Sequence, residues 1–308
     1  MNKIVVTITF SPCIDKSVSV KKLIPTTKMK CFDEVSYPGG GGINIARVLT
    51  RFGVDVTALF AVDQCNRDFF EKSLNAEKVK HIAVPTVTKT RENIEVVDEH
   101  SNKQFRFVMP TNELTPEEWS SFFVKLQGFK RIDFLVVSGS LPQNAPSSIF
   151  NELSKIAISK KAKFIVDTSG KSLKMALKEP LFLIKPNLEE FAILTGNKTV
   201  GIADLRKIAL QFLLDNTCEN LVVSLGSQGA MLFNAKETHT IKPPKVNVIS
   251  TVGAGDSMLA GIIVGLAQES NLETCLKLGI AFGTATTLKD GTSLCTKADV
   301  TNLLPKIR

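Results

Sequence analysis

Apolar positions along the chain form short and long segments that alternate. Short β-branched runs are predicted as buried strands at 4–10, 57–62, 134–137, 164–166, 181–184 and 221–224. Longer patterns are predicted as helices at 42–52, 67–77, 146–160, 188–194, 202–215 and 254–268. Strands that alternate with helices favour a mainly parallel sheet covered by helices on both faces. The 308 residues allow one large α/β domain, alone or with a small appendage.

Two segments interrupt this alternation. Residues 18–37 and 86–110 alternate apolar and polar positions without a helix between them, and the second segment has the pattern of a hairpin. The simplest interpretation is a small accessory sheet built from about residues 15–37 and 86–110. Such a sheet must be covered by the main domain or by another subunit. One extended sheet with long loops is the alternative.

Composition and charge narrow the function classes. The 38 Lys and Arg residues outnumber the 30 Asp and Glu residues, which gives a net charge of +8. The basic residues are scattered rather than clustered, so we expect no nucleic-acid partner, and the excess charge suits an anionic small substrate. No apolar run approaches the roughly 20 residues of a membrane span. The six cysteines show no zinc-site spacing. We therefore expect a cytoplasmic protein with reduced thiols and no membrane partner.

The strongest motif is STVGAGDSM, residues 250–258, directly before an apolar helix. The glycines let the backbone approach a bound anion, and the helix N-terminus adds free N–H donors and partial positive charge. Asp256 lies at this junction. Its carboxylate either caps the helix or accepts a proton from a substrate hydroxyl. The motif by itself leaves both interpretations open.

A second motif, PGGGGINIAR at residues 38–47, places four glycines before a predicted helix. Four glycines cost much chain entropy, so they favour unusual dihedrals or close packing over a simple connector. Asn44, in the first turn, can donate hydrogen bonds to sugar hydroxyls. A flexible hinge is the alternative.

Three further loops follow predicted strands. Of these, VVSGSLP offers Ser138, Gly139 and Ser140 as a pocket floor or as a simple turn. VVSLGSQGA offers Gly226 and Gly229 to a nucleotide, although a hairpin turn has the same appearance. Because ligands collect at the carboxyl ends of parallel strands, all these loops can face one cleft.

The third of these loops is KPNLEE, residues 185–190. Asn187 and Glu190 have the spacing of a capping box. They also offer the oxygen ligands that hold a hydrated Mg²⁺ on nucleotide phosphates. Both interpretations stay open on the residues alone.

Several enzyme classes are disfavoured. The chain has no GxxxxGK[ST] loop, no protein-kinase signature and no GxSxG elbow. His81, His100 and His239 lie outside every loop named above, so histidine-based catalysis is disfavoured.

Taken together, the motifs resemble a known family. STVGAGDSM is similar to the C-terminal signature of the ribokinase-like (PfkB) carbohydrate kinases, and PGGGGINIAR to their N-terminal signature. VVSGSLP, IVDTSG, KPNLEE and VVSLGSQGA follow in the family's order, so the resemblance spans essentially the whole chain. It implies a ribokinase-like, three-layer Rossmann-type α/β sandwich over residues 1–308 with a small β-sheet lid that also forms a dimer interface.

Within the family the chain resembles the phosphosugar branch. The four-glycine loop, FRFVMP at 105–110 and DGTSLCT at 290–296 are similar to the minor-type bacterial 6-phosphofructokinases. The resemblance implies transfer of a phosphoryl group from Mg-ATP to the 1-hydroxyl of fructose 6-phosphate, in a homodimer. A 1-phosphofructokinase or a tagatose-6-phosphate kinase is the alternative, and a non-catalytic sugar-phosphate or nucleotide sensor is a further one.

The resemblance also implies roles for individual residues. Asp256 would be the general base, beside an anion hole formed by the amides of Gly253, Ala254 and Gly255. The implied sugar-phosphate ligands are Asp15, Gly39, Gly40, Gly41, Gly42, Asn44, Arg91, Arg106 and Ser140, with Arg91 reaching a partner subunit's site. The implied nucleotide ligands are Lys28, Lys185, Asn187, Ser224, Gly226, Gly229, Ser250 and Thr251. Asn187 and Glu190 would hold Mg²⁺ through water.

Some relatives bind a monovalent cation near the anion hole, which implies a K⁺ region formed here by Ser250, Val252, Thr286 and Gly291. The chain has Lys289 and Ser293 where the minor-type 6-phosphofructokinases have Asn and Arg. A lysine ammonium is expected to replace the ion with its own charge. K⁺ dependence is therefore an open alternative.

Overall fold

The computed structural model describes residues 3–291 and 293–307. These residues form thirteen strands and ten α-helices. The strands are β1 Ile4–Thr9, β2 Cys13–Val20, β3 Phe32–Gly39, β4 Asp55–Asp63, β5 Lys80–Thr86, β6 Arg91–Asp98, β7 Lys103–Phe107, β8 Phe134–Ser138, β9 Lys163–Asp167, β10 Leu181–Ile184, β11 Cys218–Ser224, β12 Ala230–Phe233 and β13 Thr238–Ile241. The helices are α1 Gly41–Arg51, α2 Gln64–Ala76, α3 Pro116–Gln127, α4 Ile149–Lys160, α5 Gly170–Ala176, α6 Leu188–Leu194, α7 Ile202–Asp215, α8 Ala254–Ala267, α9 Leu272–Thr286 and α10 Lys297–Leu303.

Nine strands form the main sheet in the order β13-β12-β11-β10-β9-β8-β1-β4-β5. Neighbours from β11 to β5 pair in parallel, and β12 and β13 add an antiparallel edge. The parallel strands read as continuous apolar runs because both faces are buried. Their carboxyl ends meet at one edge, where most of the predicted motifs lie.

The two faces of the main sheet bury separate apolar cores. One core contains residues of α1, α2, α8, α9 and α10, and the other contains residues of α3 to α7. Successive strand residues alternate between them, since Val5 belongs to the first core and Val6 to the second. The result is the three-layer sandwich that the alternation predicts.

A second, four-stranded sheet has the order β3-β2-β6-β7. β2 pairs in parallel with β6, and the two outer pairs are antiparallel. The prediction of a separate small sheet is confirmed, and the alternative of one extended sheet is wrong. The small sheet uses residues from Cys13 to Gly39 and from Arg91 to Phe107, whereas residues up to Thr86 belong to β5 of the main sheet.

The observed elements follow the predictions closely where the apolar pattern is strong. β10, α6 and α7 have the predicted bounds, and α4 begins three residues late because Pro146–Ser148 form a turn that Ile149 closes onto the Pro146 carbonyl. The sequence did not predict β5, β12, β13, α3, α5, α9 or α10. Residues 1, 2, 292 and 308 of the predicted domain lie outside the described residues.

In the described part of the chain, no helix combines the length and the apolar character needed to cross a membrane.

Candidate active site

A cavity of about 260 Å³ lies between the small sheet and the first turns of α1 and α8. The predicted site residues that line it are Asp15, Gly40, Gly41, Asn44, Arg106, Val252, Gly253, Asp256 and Gly291. The fold thus brings both signature motifs and the small sheet to one place. The cavity is at the carboxyl edge of the parallel strands, where ligands bind in open α/β sheets.

The four-glycine loop packs against the ends of neighbouring strands. A Cβ on Gly41 would overlap the Ser138 hydroxyl at the end of β8, and one on Gly42 would lie 2.6 Å from the Thr9 hydroxyl at the end of β1. A Cβ on Gly39 would overlap the Asp15 carboxylate, and Gly40 has a φ of 119°. Close approach and unusual dihedrals both explain the glycines, so the hinge interpretation is wrong.

Asp256 lies in the first turn of α8, which begins after Gly253 in the left-handed conformation (φ 70°). Its Oδ2 accepts a hydrogen bond of 2.9 Å from Nδ2 of Asn44, and no side chain among the described residues caps this helix. Burial raises the pKa of the Asp256 carboxyl, although Asn44 and the nearby ammonium of Lys185 oppose the rise. The carboxylate faces the cavity rather than its own helix, which favours the base over the cap.

The predicted anion hole is formed by backbone at the start of α8. Amides in the first turn of a helix have no intrahelical acceptor. The Ala254 amide is partly used, since it donates to the Thr251 carbonyl at 3.3 Å. The amides of Gly253 and Gly255 lie on either side of it. A bound phosphoryl oxygen therefore competes with one turn hydrogen bond.

Lys185 is buried beside the anion hole, with Nζ 3.3 Å from Oδ1 of Asp167. Burial raises the pKa of Asp167 to about 6, and the neighbouring Asp256 adds to the rise. Asp167 was not selected from the sequence, although it ends β9 in the motif IVDTSG. The sequence signal was its position at the carboxyl end of a strand beside the signature motifs.

Asn187 and Glu190 form the predicted capping box at the start of α6. Each side chain accepts a hydrogen bond of 2.8 Å from the other residue's amide. The cap uses one oxygen of Glu190, and a carboxylate offers about four acceptor positions. Oxygen donors of this kind suit a water-held Mg²⁺. Among the residues that the structure describes, no three His, Cys, Asp or Glu side chains converge to hold a metal ion directly.

The nucleotide side of the predicted site follows β11. Ser224 forms an isolated parallel bridge with Asn187, which joins the two loops. Gly226 and Gly229 lie in the turn of the antiparallel β11–β12 hairpin, so the hairpin interpretation of this loop is correct. A Cβ on Gly229 would overlap the Ile241 carbonyl. This glycine is therefore required by packing, whatever the loop binds.

Arg106 links the small sheet to the anion-hole loop. Its Nη2 donates to the Thr251 hydroxyl at 3.2 Å, and its Nε lies 3.3 Å from Oε2 of Glu95. Glu95 lies directly opposite Arg106 in the β6–β7 pairing. Glu95 is 8% exposed, and burial raises its pKa. Glu95 was not selected from the sequence, since its position opposite Arg106 depends on strand register.

Four of the predicted sugar-phosphate ligands (Gly39, Gly42, Arg91 and Ser140) and all eight predicted nucleotide ligands are not among the residues that line the cavity. Arg91 donates to the carbonyls of Met109 and Ser11. Lys28 is exposed in the loop between β2 and β3, and Ser140 is exposed after β8. Ser140 nevertheless follows Ser138, whose hydroxyl is against the glycine loop.

The predicted monovalent-cation region contains two packed loops. Ser250 donates its amide to the Thr287 carbonyl, and the Thr286 hydroxyl donates to Ser257 at 2.7 Å. Val252 and Gly291 line the cavity. The ammonium of Lys289 lies 3.0 Å from Asp299, which belongs to the first turn of α10. Its charge is therefore already balanced by a carboxylate.

Comparisons with known proteins agree with this geometry. The sequence pattern of the pfkB family carbohydrate kinases matches residues 4–299. The ATP-dependent 6-phosphofructokinase isozyme 2 of Escherichia coli is 34% identical over 294 residues, which cover 95% of this chain and 95% of that protein. The 1-phosphofructokinase of Borreliella burgdorferi is 32% identical over 303 residues, which cover 98% of this chain and 97% of that protein.

The crystal structure of Escherichia coli phosphofructokinase-2 in complex with substrates and products matches with a TM-score of 0.93 and 33% identity, over 98% of both chains. The same enzyme has been solved in complex with potassium and in a tetrameric inhibited form, and these structures match with TM-scores of 0.93 and 0.92. The predicted family and the predicted three-layer fold are confirmed.

Proposed function

The chain belongs to the pfkB family of carbohydrate kinases, and on that basis we propose that it is an ATP-dependent 6-phosphofructokinase. It transfers the γ-phosphoryl group of ATP to the 1-hydroxyl of fructose 6-phosphate and releases fructose 1,6-bisphosphate and ADP. The observation that carries the proposal is the hydrogen bond from Asn44 to Asp256 inside the cavity. It joins the two family signatures at one carboxylate. The resemblance to Escherichia coli isozyme 2 supports the substrate.

Asp256 acts as the general base. The 1-hydroxyl gives its proton to the Asp256 carboxylate as its oxygen attacks the γ-phosphorus, and the bond from that phosphorus to the β-phosphate oxygen breaks. Because burial raises the pKa of Asp256, the carboxylate is a better proton acceptor than an exposed aspartate. The Asn44 amide holds the carboxylate in position for the transfer.

Charge develops on the transferring phosphoryl group, and fixed donors stabilise it. The start of α8, with the amides of Gly253 and Gly255, supplies such donors, and the ammonium of Lys185 lies beside Gly255. Asn187 and Glu190 would hold a Mg²⁺ ion through water, and the ion would supply further positive charge at the phosphates. The residues that border the nucleotide are Ser224, Gly226, Gly229, Ser250 and Thr251.

The small sheet closes the sugar side of the cavity. Asp15 and Asn44 bind hydroxyl groups, and Arg106 presents a guanidinium to the sugar's phosphate. Hydrogen bonds that join the sheet to the main domain include those from Gln104 to the Ile249 carbonyl, from Arg106 to Thr251 and between the hydroxyls of Tyr37 and Ser293. A closed lid keeps out water that would otherwise accept the phosphoryl group.

A homodimer completes this site. Arg91 and Lys28 lie outside the cavity of their own chain, and the small sheet and the residue after it carry exposed apolar side chains, among them Val35, Phe107 and Val108. A second copy that covers this surface brings the basic side chains of one chain to the cavity of the other.

K⁺ belongs to the same proposal. The carboxylate of Asp299 holds the ammonium of Lys289 and leaves the loops at Ser250 and Thr286 without its charge. A monovalent cation therefore supplies the positive charge beside the anion hole.

The experiment is a coupled ADP-release assay with Mg-ATP and a panel of acceptors. We expect the highest kcat/KM with fructose 6-phosphate. A higher kcat/KM with fructose 1-phosphate or tagatose 6-phosphate would contradict the assignment of fructose 6-phosphate as the substrate, but it would be consistent with the same mechanism. A preference for fructose or ribose contradicts the phosphate site, and no turnover with any acceptor favours a sensor.

A further inference from the structure

Arg47 of α1 is the largest fully buried side chain of the described residues, at 2% exposure. A buried charge costs free energy even when it is paired, so an arginine in the apolar face of a helix needs an explanation. An alanine or leucine would pack the same position at lower cost. Its neighbours on both sides supply that explanation.

On one side, Arg47 binds Glu77 at the end of α2. Its Nε donates to Oε1 of Glu77 at 2.8 Å, and its Nη2 lies 2.7 Å from the same oxygen. Arg51, one turn further along α1, binds the other oxygen of Glu77 at 2.7 Å. The guanidinium of Arg47 also lies over the ring of Tyr37, 5.9 Å from its centroid. These contacts fix the guanidinium plane.

On the other side, Nη1 of Arg47 donates a long hydrogen bond of 3.5 Å to Oδ1 of Asn44. A side-chain amide has one donor end and one acceptor end. Arginine only donates, and an ionised carboxylate only accepts. The two neighbours of Asn44 therefore permit a single orientation of its amide, with oxygen towards Arg47 and nitrogen towards Asp256.

We propose that Arg47 is a positioning residue for the phosphoryl-transfer reaction, which orients the Asn44 amide so that it donates to the base Asp256. This inference rests on the proposed function, because it requires Asp256 to be the base. Glu77 anchors Arg47 from behind, and the path from Glu77 to Asp256 is made of direct contacts. Without Arg47, the Asn44 amide can rotate so that its oxygen faces the Asp256 carboxylate. The two groups of oxygen atoms then repel each other.

The other charged or titratable groups around Asp256 come from separate elements. They are Asp15 and Cys13 of β2, Asp167 of β9 and Lys185 after β10. Those around Arg47 include Glu77, Arg51 and Tyr37. Asn44 contacts both sets, through its hydrogen bonds with Arg47 and Asp256, so a change at Arg47 can reach the base through it.

The test compares Arg47→Lys with Arg51→Lys. Both substitutions keep a positive charge for Glu77, and both remove the guanidinium fork. A lysine in place of Arg47 can hold Glu77 but cannot bind Asn44 at the same time. Arg51 instead uses its second nitrogen on the carbonyls of Ser293 and Cys295, so its replacement does not affect the Asn44 amide.

The measured quantity is the acid-side midpoint of the kcat/KM profile against pH. This midpoint belongs to the coupled carboxylates Asp256 and Asp167 together, so its change between variants is more informative than its absolute value.

We expect Arg47→Lys to move this midpoint to higher pH by about one unit, which is the size expected for one lost hydrogen bond to a charged group. Arg51→Lys should leave the midpoint unchanged and lower only the unfolding temperature. In an Asn44→Leu background, Arg47→Lys should cause no further shift. A normal midpoint in folded Arg47→Lys, or equal shifts in the two lysine variants, overturns the proposal.

Whether the unaltered protein phosphorylates fructose 6-phosphate tests the proposed function separately from the role of Arg47. If the unaltered protein shows no turnover, the same comparison is made by following the side-chain amide resonance of Asn44 as a function of pH. Its titration midpoint should rise in Arg47→Lys and stay constant in Arg51→Lys. A midpoint that is the same in all three proteins overturns the positioning role, whatever the substrate.

Discussion

Two groups of charged side chains lie on either side of Asn44, each with one buried cation, Arg47 or Lys185, and they differ in how their charges are balanced. In the structural group, Glu77 binds both Arg47 and Arg51. In the group at the proposed active site, Asp167 and Asp256 have the ammonium of Lys185 nearby. The first group has two cations for one carboxylate, and the second has one cation for two.

The carboxyl groups respond in opposite directions. Burial by itself would raise the pKa of Glu77, but the two guanidinium groups hold that pKa below its ordinary value. Burial raises the pKa of Asp256, and it raises that of Asp167 to about 6. An ionised carboxylate thus stabilises the fold at Glu77 and costs free energy at Asp256 and Asp167. Elevated carboxylate pKa values are typical of catalytic sites.

The greatest change is expected in turnover. Asp256→Asn removes the proton acceptor, so kcat should fall by about 10²–10⁴-fold, the contribution usual for a general base. The coupled assay measures this directly. ATP affinity, measured by calorimetry, should change little, because the anion-hole amides are backbone groups.

Asp133→Asn is the matched control for this prediction. Asp133 precedes β8 at the opposite edge of the sheet, where it accepts the Ile4 amide. Its substitution should leave kcat unchanged. Near-normal turnover in Asp256→Asn would refute the assignment of the base.

A smaller change is expected in stability. Glu77→Gln leaves Arg47 and Arg51 without their carboxylate, and removing one partner of a buried pair should lower the free energy of unfolding by about 3 kcal/mol. Urea unfolding measures it. Glu71→Gln on the same helix breaks only the exposed Arg67–Glu71 pair and should cost about 0.5 kcal/mol or less. Equal losses in the two variants would mean that the buried group is not balanced as described.

The smallest expected effect is a gain in the free energy of unfolding of Asp256→Asn. An aspartate with a raised pKa contributes stability below its unfolded pKa of 3.8, and this stability is lost as the pH rises through the higher folded value. At pH 8, Asp256→Asn should therefore raise the free energy of unfolding by about 0.5–2 kcal/mol.

The pH dependence separates the two groups further. The gain in Asp256→Asn should vanish below about pH 4, where Asp256 is protonated in both states. Glu77 has a lowered pKa, so its contribution is complete above 4.5 and is lost as the pH falls through the folded value. The deficit of Glu77→Gln should thus shrink in acid. If the stability gain in Asp256→Asn does not depend on pH, the ionised Asp256 carboxylate is not the cause of the free-energy cost.

Local patterns were enough for much of the fold. Buried strands and amphipathic helices are recognised by their apolar period, and β10, α6 and α7 were placed to the residue. α9 was missed because its apolar pattern contains Gly279 and Gly283, which weaken a helix prediction. Both glycines face α8, where a Cβ on Gly279 would lie 2.8 Å from Ile262. That reason for a glycine exists only after the helices pack.

The candidate site also has a part that local sequence predicts and a part that depends on tertiary packing. The chain's local sequence was sufficient to select the glycine loops, Asp256 and Asn44 as candidates, because helix starts and strand ends are set by neighbouring residues, and the family resemblance added Lys185. Only folding brings Asn44 to Asp256 across 212 positions, places Glu95 opposite Arg106 and buries Arg47 against Glu77. These partners come from different elements, and their pKa values depend on burial and on distances that no local pattern contains.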